Sequence, residues 1–303
     1  MNTTAWWFFA KKHLVILRYI MTDSVRRALG LDQIDLEGNL IVISERHGTD
    51  ANFLINTVLS KSLEKGYGVE LVLFHNTFGH YHNIGMKLGY NLNVLRERGD
   101  VMVVEPMKSI VCNIEELGHD SVDASSPELT ENIRQLNDME TMPNPLKLDE
   151  KLVQHFFTPV RDQFWELKKV RENVIIIVDD ITHLLDLNLS LKEVWLYSKY
   201  LISLMKIDTK LAMCILGHTY QSDINDCLPN GIIAGLQRGS QLYVAVEPLR
   251  TGYSDDISGV MIVEWRVSGL RKLYNWPERS TYLYKLLDRQ IKLFTPGGID
   301  ALF

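Results

Sequence analysis

A short apolar run, Asn39–Ser44, ends in a polar turn, Glu45–Asp50, after which Leu54, Ile55, Val58 and Leu59 recur at helical spacing. Strand, turn and helix in that order frame the phosphate loop G-x-x-x-x-G-K-[ST], whose glycine backbone cradles phosphates, whose lysine neutralises them and whose hydroxyl holds magnesium. On this frame the first glycine position holds Ile43, the second Gly48, the lysine position Thr49 and the hydroxyl position Asp50. Gly48 alone matches. Asp50 works against an anion, since a carboxylate about 4 Å from a phosphate costs roughly 4 kcal/mol per pair of unit charges at an effective dielectric near 20. As helix caps, Thr49 or Asp50 needs no nucleotide.

The run Val174–Asp180 (VIIIVDD) has the form of the second nucleotide element, a strand whose terminal acid, Asp179, orients magnesium. Many parallel strands also end in Asp beside a helix N-terminus, where the acid meets the helix dipole. A general base, commonly a Glu after the next strand, is missing: Val69–Phe74 is followed by His75, Asn76, Thr77, Phe78, Gly79 and His80. His75, His80 and His82 invite a zinc reading, but no Cys is near and their spacing fits no standard ligand set, so loop or packing roles are expected. No G-x-S-x-G nucleophile elbow is present. No cofactor and no metal are therefore expected on this chain alone.

The elements that position these residues alternate. Strands are predicted at 39–44, 69–74, 101–105, 174–178 and 211–216, with helices at 51–63, 81–88, 107–117, 148–172 and 191–205. Near-continuous apolar runs of this kind suit a parallel sheet buried on both faces. The last third differs: runs at 241–246, 260–265, 281–285 and 291–294, separated by Gly, Pro, Asn and Asp, read as antiparallel strands. The fold class is α/β, a mainly parallel sheet flanked by helices and extended by C-terminal antiparallel strands. A first segment, 1–20, reads as a poorly ordered extension, with Met21 as an alternative start, and 21–303 as one domain carrying an acidic insert at about 118–147.

In the 303-residue chain 46% of residues are hydrophobic and 23% charged, enough for a large core. The net charge of −6 arises between Gly118 and Glu150, where eight acids face Arg134 and Lys147. The remainder is balanced, unlike a protein that grips nucleic acid alone. Cys112, Cys214 and Cys227 are odd in number and form no C-x-x-C pair, which suits reduced thiols in cytosol or nucleus. No run of about 18 apolar residues could form a membrane span.

Four blocks carry a family resemblance. FGHYHNIGMKLGYNLNVLRERGDVMVVEPMKSIV (Phe78–Val111), IIVDDITHLLDL (Ile176–Leu187), EPLRTGYSDDISGVMIVEWR (Glu247–Arg266) and YKLLDRQIKLFTPG (Tyr284–Gly297) occur in the order seen in the Elongator complex protein 6 family, with Asn230-Gly231 between the second and third. The chain resembles that family from Gly38 onward; residues 1–20 and the acidic insert are not covered. The resemblance implies a RecA-like fold with a degenerate nucleotide loop, and a cytoplasmic and nuclear location. It implies a non-catalytic subunit that joins the fourth and fifth Elongator subunits in a heterohexameric ring within the larger complex. That ring binds tRNA, any ATP belonging to its interfaces, and is required for 5-carboxymethyl-type modification of the wobble uridine. The chemistry belongs to the radical-SAM, acetyl-CoA-dependent third subunit. Loops that RecA-like folds turn to a ring centre fall near 217–240 and 249–253, which makes Arg238, Arg250 and Tyr253 candidate tRNA contacts. The alternatives are an active RecA-type ATPase, including a recombination-associated paralogue, and a RecA-derived interaction module outside Elongator.

Overall fold

The computed structural model describes residues 23–108, 150–221, 227–252, 254–287 and 290–295. The extension at 1–20, the predicted helix beyond Lys108 and the acidic insert at 118–147 lie outside them. Nine strands, β1 Leu40–Arg46, β2 Gly68–Leu73, β3 Val101–Val104, β4 Val174–Asp179, β5 Ala212–Thr219, β6 Leu242–Glu247, β7 Gly259–Trp265, β8 Arg279–Leu287 and β9 Gln290–Phe294, form one sheet. Its order is β3-β2-β4-β5-β1-β6-β7-β8-β9. Pairing is parallel from β3 to β6 and antiparallel from β6 to β9. The helices are α1 Asp23–Ala28, α2 Asn52–Glu64, α3 Phe78–Leu88, α4 Leu92–Glu97, α5 Glu150–Val170, α6 His183–Asp186, α7 Leu191–Ile207, α8 Leu228–Gly239 and α9 Ser268–Tyr274. None of them is long and apolar enough to cross a membrane.

Side chains alternate across a strand, so each apolar run feeds two cores. Ile41, Ile43, Leu71, Ile175 and Ile177 pack on one face against Leu54, Ile55 and Val58 of α2. Val42, Val72, Ile176 and Val178 pack on the other against Phe156, Val160 and Phe164 of α5 and Tyr197 and Leu201 of α7. Every residue of β4 is buried, as expected of an inner parallel strand. α3 stops at Gly89, whose φ of 85° is left-handed and favours glycine.

Two expectations are corrected. The strand predicted at 241–246 pairs antiparallel with β7 as expected, but along its other side β6 runs parallel to β1, Ile41 facing Leu242. The stretch taken for loop between 217 and 240 is largely helix, α8, whose Gly235 lies so close to Trp195 of α7 that a Cβ there would fall 1.9 Å from the indole. Glycine disfavours helix by about 1 kcal/mol relative to alanine; here it admits a tryptophan between two helices.

One polar side chain sits inside the second core. Glu70 of β2 is fully buried, and neither carboxyl oxygen has a hydrogen-bond partner among the described residues. Burial pushes its carboxyl well above the ordinary glutamate range. Burial first, and then any charge on Glu70, likewise raises the Tyr197 hydroxyl. A folded-state pKa above the unfolded one contributes stability at low pH that is lost as pH rises towards the folded value. The melting-temperature difference between Glu70→Gln and the parent chain should therefore move in the variant's favour as pH climbs above about 4.3. A difference constant with pH would contradict a neutral buried acid.

Candidate functional site

Parallel strands end at one edge of the sheet, where α/β proteins gather ligands outside the carboxyl ends of their strands. The chain leaves β1 towards β2 on one side and later places β6 on the other, so the end of β1 lies where the direction reverses. Three adjacent strands, β4, β5 and β1, deliver Asp180, His218 and Glu45 to this point. The imidazole bridges the two acids: Nδ1 of His218 lies 2.7 Å from Oδ2 of Asp180, and Nε2 lies 3.0 Å from Oε1 of Glu45. Two carboxylates, Asp180 foremost, hold it charged and raise its pKa to about 10 despite partial burial. Burial alone would raise the Asp180 carboxyl, but hydrogen bonds from His183, His218 and Thr182 outweigh it and hold it well below the usual range. Asp180 in turn raises the His183 imidazole.

Asp180 departs from the strand with a left-handed φ of 55°, unusual outside glycine and asparagine. Its Oδ1 accepts the Thr182 N–H at 3.1 Å and the Thr182 hydroxyl, whose oxygen accepts the His218 N–H at 3.0 Å. The turn after β4 is thus tied to β5.

Glu45 reaches the other way as well. Its Oε2 accepts the Ala51 N–H at 2.9 Å, at the residue that precedes α2. A free N–H at a helix start is what attracts phosphate; here the chain's own carboxylate takes it. Gly48 supplies a φ of 90° to the turn. Asp50 accepts the Asn52 N–H at 2.8 Å in a local turn one residue ahead of the cap position Ala51, and the Thr49 hydroxyl donates to the Arg46 carbonyl at 2.7 Å and closes the preceding turn.

The strand-end acid singled out from sequence, Asp179, serves elsewhere. Its Oδ2 accepts the Asn76 N–H at 2.9 Å, fixing the turn after β2, and burial raises its carboxyl. Asp180 is the acid that faces Glu45 and His218. The three histidines grouped by sequence diverge. His82 stacks on Phe78 and bonds Asn93, and His80 packs on Tyr81. His75 instead meets His183 and His218, with ring centroids 5.1 and 5.7 Å away. Sequence reasoning passed over Glu45, Asp180, His183 and His218; the available signal was polar residues at strand ends and the three-residue spacing of Asp180 and His183.

Arg238 and Arg250 are not brought together. Arg238 is exposed in the last turn of α8, before β6 begins, and Arg250 is exposed beyond the end of β6. The length of that strand, roughly 20 Å, puts them at opposite edges of the sheet. Tyr253 lies outside the described residues. Arg250 shares an open cleft of about 450 Å³ with Arg46, Gln221, Glu247 and Arg279, in which Arg46 pairs with Glu247 at 3.1 Å.

Comparison with known proteins bears on these features. The family model described as Elongation complex protein 6 matches residues 28–288. Among curated relatives, Elongator complex protein 6 of Drosophila melanogaster is 28% identical over 284 residues, 93% of this chain and 99% of that protein. The Homo sapiens protein of that name is 26% identical over 268 residues, 88% of this chain and 93% of that one. Among solved structures, a KaiC-like protein from Pyrococcus horikoshii is 12% identical with a TM-score of 0.48, covering 85% of this chain and 90% of its own.

Removing a partner from a buried ion pair strands the remaining charge and typically costs about 3–5 kcal/mol. His218→Ala, which leaves Glu45 and Asp180 facing each other, should destabilise the chain by about that much in urea denaturation. Asp50→Ala should cost only about 1 kcal/mol, the usual net value of a single hydrogen bond. Equal effects would remove the bridge from its central place.

Proposed function

Because the chain belongs to the Elongation complex protein 6 family, we propose that it is an Elongator subunit whose own nucleotide site is filled from within. The observation that carries this reading is the Ala51 N–H held by Glu45 at 2.9 Å, with Thr49 where a phosphate-binding loop has its lysine. In this reading the chain joins the fourth and fifth Elongator subunits in a heterohexameric ring. The ring binds tRNA and supports modification of the wobble uridine, and the third subunit performs the chemistry. The chain adds a wall of the ring, a nucleic-acid contact and no catalytic residue; ATP belongs to the ring's interfaces.

The contact is the cleft of Arg46, Arg250 and Arg279. Its three guanidiniums favour a phosphate backbone, although Glu247 engages Arg46 at 3.1 Å and Glu264 lies 3.9 Å from Arg279. Arg238, at the far edge, has no part in it.

Two measurements test the proposal. Cells depleted of this chain should lose 5-methoxycarbonylmethyl-type uridines from tRNA, read by mass spectrometry. Wild-type chain and Arg238→Glu should restore them, and Arg250→Glu should not. Unchanged modification after full depletion would remove the Elongator role. In isolation the chain should give no micromolar heat of binding with magnesium-ATP in calorimetry; a tight complex would favour the active ATPase instead.

A further inference from the structure

We propose that His75, Asp180 and His183 form a binding site for a divalent transition metal of the zinc class. The three come from the carboxyl ends of neighbouring strands: His75 lies two residues beyond β2, Asp180 directly follows β4, and His183 opens α6. One ligand atom from each lies within 4.8 Å of the other two. Tetrahedral zinc with bonds of about 2.0–2.2 Å separates its ligands by roughly 3.3–3.6 Å. His183 Nδ1 and Asp180 Oδ2 stand at 3.6 Å already. His75 is exposed, so its ring can make the remaining approach without disturbing the core.

The support behind the carboxylate is of the kind metal sites use. Asp180 is buried, its Oδ1 fixed by Thr182 and its Oδ2 touched by His218 at 2.7 Å, which leaves that oxygen a second lone pair facing the two histidines. On the outer side the exposed Asp186 reaches His183 Nδ1 at 3.0 Å and can swing clear into solvent. Asp180 and Asp186 bring negative charge to the point, partly offset by the His218 imidazolium on Asp180, and the exposed His75 side is open to water as a fourth ligand. Two imidazole nitrogens beside one carboxylate select a borderline metal over calcium or magnesium, which take all-oxygen sets.

The site is independent of Elongator membership, and its test uses the purified full chain. After treatment with a chelator, titration with cobalt should give the visible ligand-field bands of a tetrahedral complex, saturating at a single equivalent and displaced by zinc. His75→Ala and His183→Ala should each weaken zinc binding by roughly 10-fold or more, the loss seen when even a supporting group is removed. His75 faces solvent, so His75→Ala should keep the parent's melting temperature without metal; His183→Ala also loses a partner of Asp180, so its metal affinity is read against its own metal-free state. His80→Ala and His82→Ala, on α3 and outside the cluster, should bind as the parent does. Absence of the bands, binding that survives both His75→Ala and His183→Ala, or an equal loss in His80→Ala would overturn the proposal.

Discussion

One imidazole between two buried carboxylates is the constraint on which this edge of the molecule depends. The apolar faces of the sheet fix which helices cover it, but they say nothing about where the loops at its end must go. The ionic bridge does. Asp180 draws the turn after β4 into a left-handed residue, His218 holds that turn against β5, and Glu45 extends the bridge from β1 to the start of α2. A buried charge without a partner costs several kcal/mol, so none of the three positions can move alone. Helix α2, which carries Leu54, Ile55 and Val58 into the first core, is therefore anchored by Glu45, the carboxylate that shares the His218 imidazole with Asp180.

Much of this was legible in the residues. The runs Leu40–Ile43 of β1 and Val174–Val178 of β4 are apolar because both faces are covered, and the loss of the nucleotide signature at Ile43, Thr49 and Asp50 is visible without coordinates. Strand alternation ends at Asp179 and points to that acid, whereas it is Asp180 that bonds His218. The left-handed turn at Asp180 redirects the next side chain, and nothing local in the run VIIIVDD announces it. His218 pairs with residues 38 and 173 positions away, beyond any periodicity.

The parallel pairing of β6 with β1 is hidden for a separate reason. Two parallel strands in one sheet need a long crossover between them, usually a helix. Gly231, Gly235 and Gly239 weaken the helix signal from Leu228 to Gly239, and without that helix β6 reads only as a member of the antiparallel series it joins at β7, not as the parallel neighbour of β1. Trp195 explains at least one of those glycines. Tertiary packing overrode local propensity, and the parallel pairing of β6 with β1 was hidden with it.

The central position of β1 also sets the order in which the molecule can be completed as it is made. β1 is among the first strands synthesised, yet both its neighbours, β5 and β6, come from the far part of the chain. Glu45 emerges 173 residues before the histidine that balances it. At about 5–20 residues per second, that interval is roughly 10–35 s on a ribosome. Through it the nascent chain carries an apolar strand with two unpaired edges and an acid without its base, the kind of surface chaperones shield. The strand that organises the finished sheet is thus among the earliest made and the latest to be enclosed.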